Sequence, residues 1–122
     1  MSINKHTERF NKILVNMMHI VTYSCSDIML KTFCSGIELH IKVNPGTPLS
    51  TFVSTVYCDV KCRKRMLSMN EKVIHDLAAK GGMYGGLQKH WLSLNDTNKK
   101  NIMKSLYGLT IIAQRSQNEH KN

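Results

Sequence analysis

Acidic side chains are scarce in this chain. Eight Asp and Glu stand against 17 Lys and Arg, which leaves a formal charge of +9. Catalysis by paired carboxylates, or by a metal held among several, has little material here. Aromatic residues make up only 7% of the chain, and proline occurs twice. An apolar share of 42% with so few rings predicts an aliphatic core filled in part by the eight methionines. No run approaches about 18 consecutive apolar residues, so no transmembrane segment is expected. Cations precede a semi-apolar run from Ile13 to Cys25, but Asn16 and His19 interrupt that run and no small-residue cleavage pattern follows. An intracellular setting, cytoplasm or nucleus, with reduced thiols is the expectation.

Motifs that name a reaction are missing too. There is no G-x-S-x-G, no H-E-x-x-H, no G-x-G-x-x-G and no G-x-x-x-x-G-K-[ST]. A non-enzymatic protein without a cofactor follows as the expectation. Cys58 and Cys62 would share one face of a helix and could both reach a metal ion, but no second pair at a matching spacing completes a zinc site. They read as ordinary cysteines, and no metal residue is assigned. The glycines of "GGMYGG" (81–86) read as a connector.

What is present is a concentrated positive charge. Between Lys61 and Lys104 ten Lys and Arg face three acids, Glu71, Asp76 and Asp96, so that third of the chain carries +7 of the +9. Four of these cations fall in five positions, in "VYCDVKCRKR" (56–65). A helix C-terminus welcomes positive charge, at a few tenths of a kcal/mol each. That does not account for a cluster whose members repel one another. Lys61, Arg63, Lys64, Arg65, Lys72, Lys99, Lys100 and Lys104 are therefore the candidate nucleic-acid-binding residues. They would neutralise the phosphates of RNA or DNA with little sequence preference. Short, basic, Asn- and Met-rich chains of this kind have the composition of accessory proteins of viruses or mobile elements. The alternative is a matrix-like adaptor that self-associates as a homo-oligomer and sets its basic face against acidic protein or peripheral membrane surfaces.

The expected fold is α+β and mainly helical, with four to five helices and one small β element. A single compact domain spans 1–114, and a polar tail at 115–122 frays. Helices are expected over about 4–22, where β-branched and aromatic Val15, Ile20, Val21, Thr22 and Tyr23 leave 12–24 open to strand, and over about 27–34, the second capped by Ser26 and broken by Ser35-Gly36. Ile37, Leu39, Ile41 and Val43 alternate with Glu38, His40 and Lys42, the period of a half-buried strand over about 37–43. After a turn at Asn44–Thr47, Pro48 opens one continuous amphipathic helix to about Arg65, with Val56, Tyr57 and Val60 inward. Ser68-Met69-Asn70-Glu71 has the capping-box pattern for the next helix, which Gly81-Gly82 ends. A short helix covers about 87–94. Asp96 or Thr97 caps a last one, and Leu109–Ile112 is β-branched enough to turn into strand. The order strand, helix, capped helix matches modules that lay a two-subunit ribbon in the DNA major groove, with Glu38, His40 and Lys42 outward. The strand edge is also the expected surface for self-association.

Overall fold

The computed structural model describes residues 4–120, with only the backbone of His120. The described residues form seven α-helices and no strand. α1 runs Lys5–Ser24, α2 Ile28–Val43, α3 Thr47–Phe52, α4 Val60–Leu67, α5 Val73–Ala78, α6 Met83–His90 and α7 Asp96–His120. The β element expected at 37–43 is thus overturned, and with it the ribbon order, the strand edge and the count of four to five helices.

The reason lies in α2. Ile37 and Ile41 sit one turn apart and turn inward with Leu30 and Cys34, while Leu39 and Val43, 64% and 85% exposed, sit one turn apart on the outside. Two i,i+4 pairs on opposite faces of a helix produce the same alternation as a strand. No second strand is present among the described residues to satisfy an extended backbone, so the helix wins. Asp27, one residue after the expected Ser26, caps α2 by accepting from the Leu30 amide at 3.1 Å. Ser35-Gly36 does not break the helix; a Cβ on Gly36 would meet open space.

α1 buries Phe10, Leu14, Met17, Met18 and Val21 in the core, and its pairing with α7 is the most extensive between helices of the described residues. α7 returns Ile102, Leu106, Leu109 and Ala113. Five of the eight methionines, Met17, Met18, Met66, Met83 and Met103, are buried, as the composition predicts. The turn before Thr47 is where its composition puts it, and Asn11 Nδ2 of α1 donates to the Pro45 carbonyl there at 2.9 Å.

The helix expected to run unbroken from Pro48 to Arg65 is interrupted. After Phe52 the backbone widens into a π turn at Val53–Tyr57, where the Cys58 amide reaches the Val53 carbonyl at 3.0 Å. The hydroxyls of Ser54 and Thr55 both donate to the Thr51 carbonyl, competing with the helical pattern. Asp59 then takes an extended conformation and restarts the chain as α4, accepting from the Cys62 amide at 3.2 Å. The register shift turns Val60 out of the core; it is 49% exposed.

Ser68 does not open α5. Its hydroxyl donates back to the carbonyls of Lys64 and Arg65 and so closes α4. The Met69 amide reaches the Met66 carbonyl and the Asn70 amide reaches that of Arg65, with Met69 left-handed at φ 53°. This is the two-bond helix stop usually given to glycine. α5 then starts at Val73 without a side-chain cap.

Gly81 and Gly82 end α5 with positive φ. The rest of "GGMYGG" already belongs to α6. A 3-10 turn over Trp91–Ser93 follows α6. Asn95, ahead of the two residues expected, caps α7 by accepting from the Asn98 amide at 2.7 Å. Leu109–Ile112 is helical throughout. Residues 115–120 continue α7 and Ser116 is buried, while 121–122 of the expected tail lie outside the described residues.

Candidate nucleic-acid interface

The cations of α4 fall into three kinds. Arg65 points its guanidinium at Asp76 of α5, with Nη1 and Oδ2 2.6 Å apart, and Lys61 reaches the other oxygen of the same carboxylate at 3.6 Å. Arg63 folds back along the chain, its guanidinium 5.0 Å from the centre of the Tyr57 ring and donating to the Tyr57 carbonyl at 3.3 Å. Lys64 alone projects into solvent with no acid within ion-pair distance among the described residues. A run that looks uniform in sequence is thus divided among fold-holding, ring-stacked and free side chains.

Elsewhere the pattern repeats. Lys80 is bound to Asp59 at 2.8 Å, and Lys89 lies 3.7 Å from Asp27. Asp59 therefore accepts twice, from the Lys80 ammonium and from the Cys62 amide. These bonds, the lysine's first, hold its carboxyl at about 2. The hydrogen bond from His90, then that from the Leu30 amide, lower the carboxyl of Asp27 in the same way. Lys72 is exposed at the start of α5, and Lys99 lies with Nζ 5.9 Å from the centre of the Trp91 ring.

α7 carries the most continuous basic surface. Lys100, Lys104, Tyr107, Ile111 and Arg115 follow one another at steps of four, three, four and four, which places them along one face of the helix. Tyr107 is 39% exposed, and both lysines and Arg115 are exposed. No acid occurs from Thr97 to Asn118. Over 25 residues the helix is about 37 Å long. Lys99 closes its first turn, where the helix dipole disfavours a cation, so helix stability does not call for it there; Lys100 follows Asp96 by four residues, a spacing that supports the helix.

The two basic groups are set apart along α7. α4 meets α7 where the Thr110 hydroxyl donates to Met66 Sδ at 3.3 Å. Lys104 and Lys100 precede that contact by six and ten residues, about 9 and 15 Å of helix rise. The residues singled out in the sequence are thus only partly brought together. Arg115 belongs with Lys100 and Lys104 but lies in the stretch read as a frayed tail. The three-and-four spacing from Lys100 through Ile111 to Arg115 is the signal that would have found it.

Cys58 and Cys62 do not share a face, because the break at Asp59 lies between them. Cys58 is exposed and its thiol donates to the Ser54 carbonyl, whereas Cys62 is buried and burial pushes its thiol up to about 11. Cys25 and Cys34 are buried thiols as well, and Cys34 is raised to about 11, chiefly by desolvation. Among the described residues no three His, Cys, Asp or Glu side chains are grouped as metal ligands, and no helix is long and apolar enough to cross a membrane. No protein family, curated protein or solved structure matches this chain.

Proposed function

We propose that this protein is a small non-enzymatic nucleic-acid-binding accessory protein that holds the phosphate backbone of RNA or DNA. The observation that carries the reading is the stretch of α7 from Thr97 to Asn118, which holds no acid and sets Lys100, Lys104 and Arg115 along about 22 Å of one helix face, between Asp96 and Glu119 at its ends. Exposed Lys64 and Lys72 add to it. Such a face neutralises phosphates without reading bases, so affinity falls steeply with salt. Tyr107, between Lys104 and Arg115, offers one ring on which an unpaired base can stack. An intracellular location fits a chain with four free thiols, and a virus or mobile element fits its composition.

The test is fluorescence anisotropy with labelled single- and double-stranded RNA and DNA, on protein freed of co-purified nucleic acid by nuclease. The reading expects binding that weakens at least about tenfold between 50 and 200 mM salt, as several phosphate contacts require. Absence of binding at 50 mM salt rejects it.

A second reading, self-association as a structural adaptor, is favoured by one observation. α2 exposes Ile28, Met29, Leu39 and Val43, each at least 64% open to solvent. An apolar helix face of this kind is a usual contact surface between proteins. Light scattering on the wild type and on Leu39→Lys separates the two readings: oligomers lost in the variant support assembly, and a monomeric wild type rejects it.

A further inference from the structure

A sizeable apolar cavity lies away from the α7 face. It has a volume of about 460 Å³ and opens between α1, α2, α3 and the connector that leads into α6. That size falls within the range of about 300–1,000 Å³ usual for small-molecule sites. Phe10 of α1 and Phe52 of α3 meet edge to face at 5.2 Å and stiffen one wall. Phe33 and Ile37 of α2 form another. Phe33 rests directly on the backbone of Gly82, where a Cβ would lie 2.7 Å from the ring. The cavity walls are therefore fixed by close contacts within the fold, as in a preformed site.

Its polar groups are few and of one sign. No acidic side chain lines it; the ionisable lining groups are His40, Lys80 and Tyr84. Lys80 gives one of its three ammonium protons to Asp59 and keeps two for another acceptor. Immediately after it come the first-turn amides of Met83 and Tyr84, which have no backbone partner among the described residues. That helix start carries roughly half a positive charge. The Tyr84 hydroxyl likewise has no hydrogen-bond partner among the described residues. Asp59 balances the charge of Lys80, so the mouth offers the roughly half unit of the helix start together with the two remaining ammonium protons. That suits a monoanion and falls short of a dianionic phosphate. The +9 of the whole chain draws anions toward it.

We propose that this cavity binds a free long-chain carboxylate, with the chain against Phe10, Phe33, Ile37 and Phe52 and the carboxylate at Lys80 and the start of α6. The site is separate from the basic face of α7. It stands or falls independently of the nucleic-acid reading.

The test is a titration of the full chain with the fluorescent polyene acid cis-parinarate, followed by displacement with laurate and with dodecanol. Laurate and dodecanol have the same chain, but the alcohol is uncharged. Laurate should displace the probe in the micromolar range and dodecanol about tenfold less well, the loss of one charge-assisted contact. Ile37→Trp and Thr51→Trp fill the cavity from a half-buried and an exposed position. Each should weaken laurate binding about tenfold or more at unchanged helical content by circular dichroism. Thr51 is exposed, and its side chain makes no hydrogen bond among the described residues, so that variant keeps the test sound if Ile37→Trp unfolds. Lys80→Met should remove the preference of laurate over dodecanol. Two results overturn the proposal: no displacement by laurate up to about 1 mM, or wild-type affinity in folded Thr51→Trp.

Discussion

Arg65 and Asp76 join α4 to α5 through a contact of 2.6 Å, with 29% and 11% of their side chains exposed. Asp76 also receives Lys61 at 3.6 Å. The pair is mostly shielded from water, so removing one partner leaves the other charge inadequately solvated. Arg65→Ala is expected to lower stability by about 1–3 kcal/mol, discounted from the cost at a fully buried pair for the exposure that remains. Lys64→Ala, one residue away and exposed, should stay within about 0.5 kcal/mol of wild type. Urea unfolding followed by circular dichroism measures both. Equal stability of the two variants would show that Arg65 is as free as its neighbour.

The same division bears on binding. Substituting Lys100, Lys104 and Arg115 together with Ala removes no ion pair among the described residues, so the fold should survive. If these three contact phosphates of a duplex, the slope of log affinity against log salt should fall by about 0.9 for each, about 2.7 in all. Arg65→Ala alone should change the slope far less once its stability loss is allowed for. A slope unchanged in the triple variant moves the interface off α7.

How much of this was legible beforehand follows from which forces act locally. The first helix, the turn before Pro48, the methionine-rich core and the stop at Gly81-Gly82 depend on periodicity or on backbone chemistry carried by a few neighbouring residues. They read correctly. The strand at 37–43 did not, because Ile37/Ile41 and Leu39/Val43 satisfy both periods, and only the lack of a pairing strand decides between them. The break at Asp59 was hidden by a good apolar pattern on either side of it. Arg65 and Lys80 looked like members of one basic tract, since Asp76 and Asp59, which hold them, lie 11 and 21 residues away. Charge can be counted in a sequence, but pairing is a property of the fold.

Asp59 links stability to acid. Its folded carboxyl sits at about 2, below the ordinary value of 3.8, because Lys80 and the Cys62 amide donate to it. A carboxyl lowered on folding contributes stability that is fully present above about 4 and is lost as pH falls toward about 2. The urea midpoint of the wild type should therefore drop across that window. Asp59→Asn keeps a side chain that caps α4 but cannot ionise, so its midpoint should start lower at neutral pH and fall less steeply. Parallel curves for the two proteins would dissociate the carboxylate from the acid loss.

Met69 holds a backbone shape made for another residue. Its φ of 53° lies in the left-handed region, in the position after α4 that glycine fills at no steric cost. Its side chain is 40% exposed, so little packing is surrendered by truncation. Met69→Gly should raise stability by about 0.5–1 kcal/mol, the relief of the strain less the added freedom of the unfolded chain. That corresponds to a melting temperature a few degrees higher. A lowered melting temperature would mean that the methionine side chain contributes more packing than its exposure suggests.

Gly82 is the opposite case, since it cannot be replaced at little cost. Its φ of 61° with ψ of −136° is open to glycine almost alone. An added methyl would also stand 2.7 Å from the Phe33 ring. Gly82→Ala should cost about 2–4 kcal/mol, the sum of backbone strain and a displaced ring. The neighbouring Gly81 shares the positive φ, but nothing lies within 4 Å of its added Cβ. Gly81→Ala should accordingly lose only the strain, about 1–2 kcal/mol. The difference between the two variants isolates the contact with Phe33. Phe33→Ala in the Gly82→Ala background should recover part of it, because the clash disappears with the ring. Strict additivity in that double variant would show that the ring moves aside without cost and that α2 is not held by Gly82.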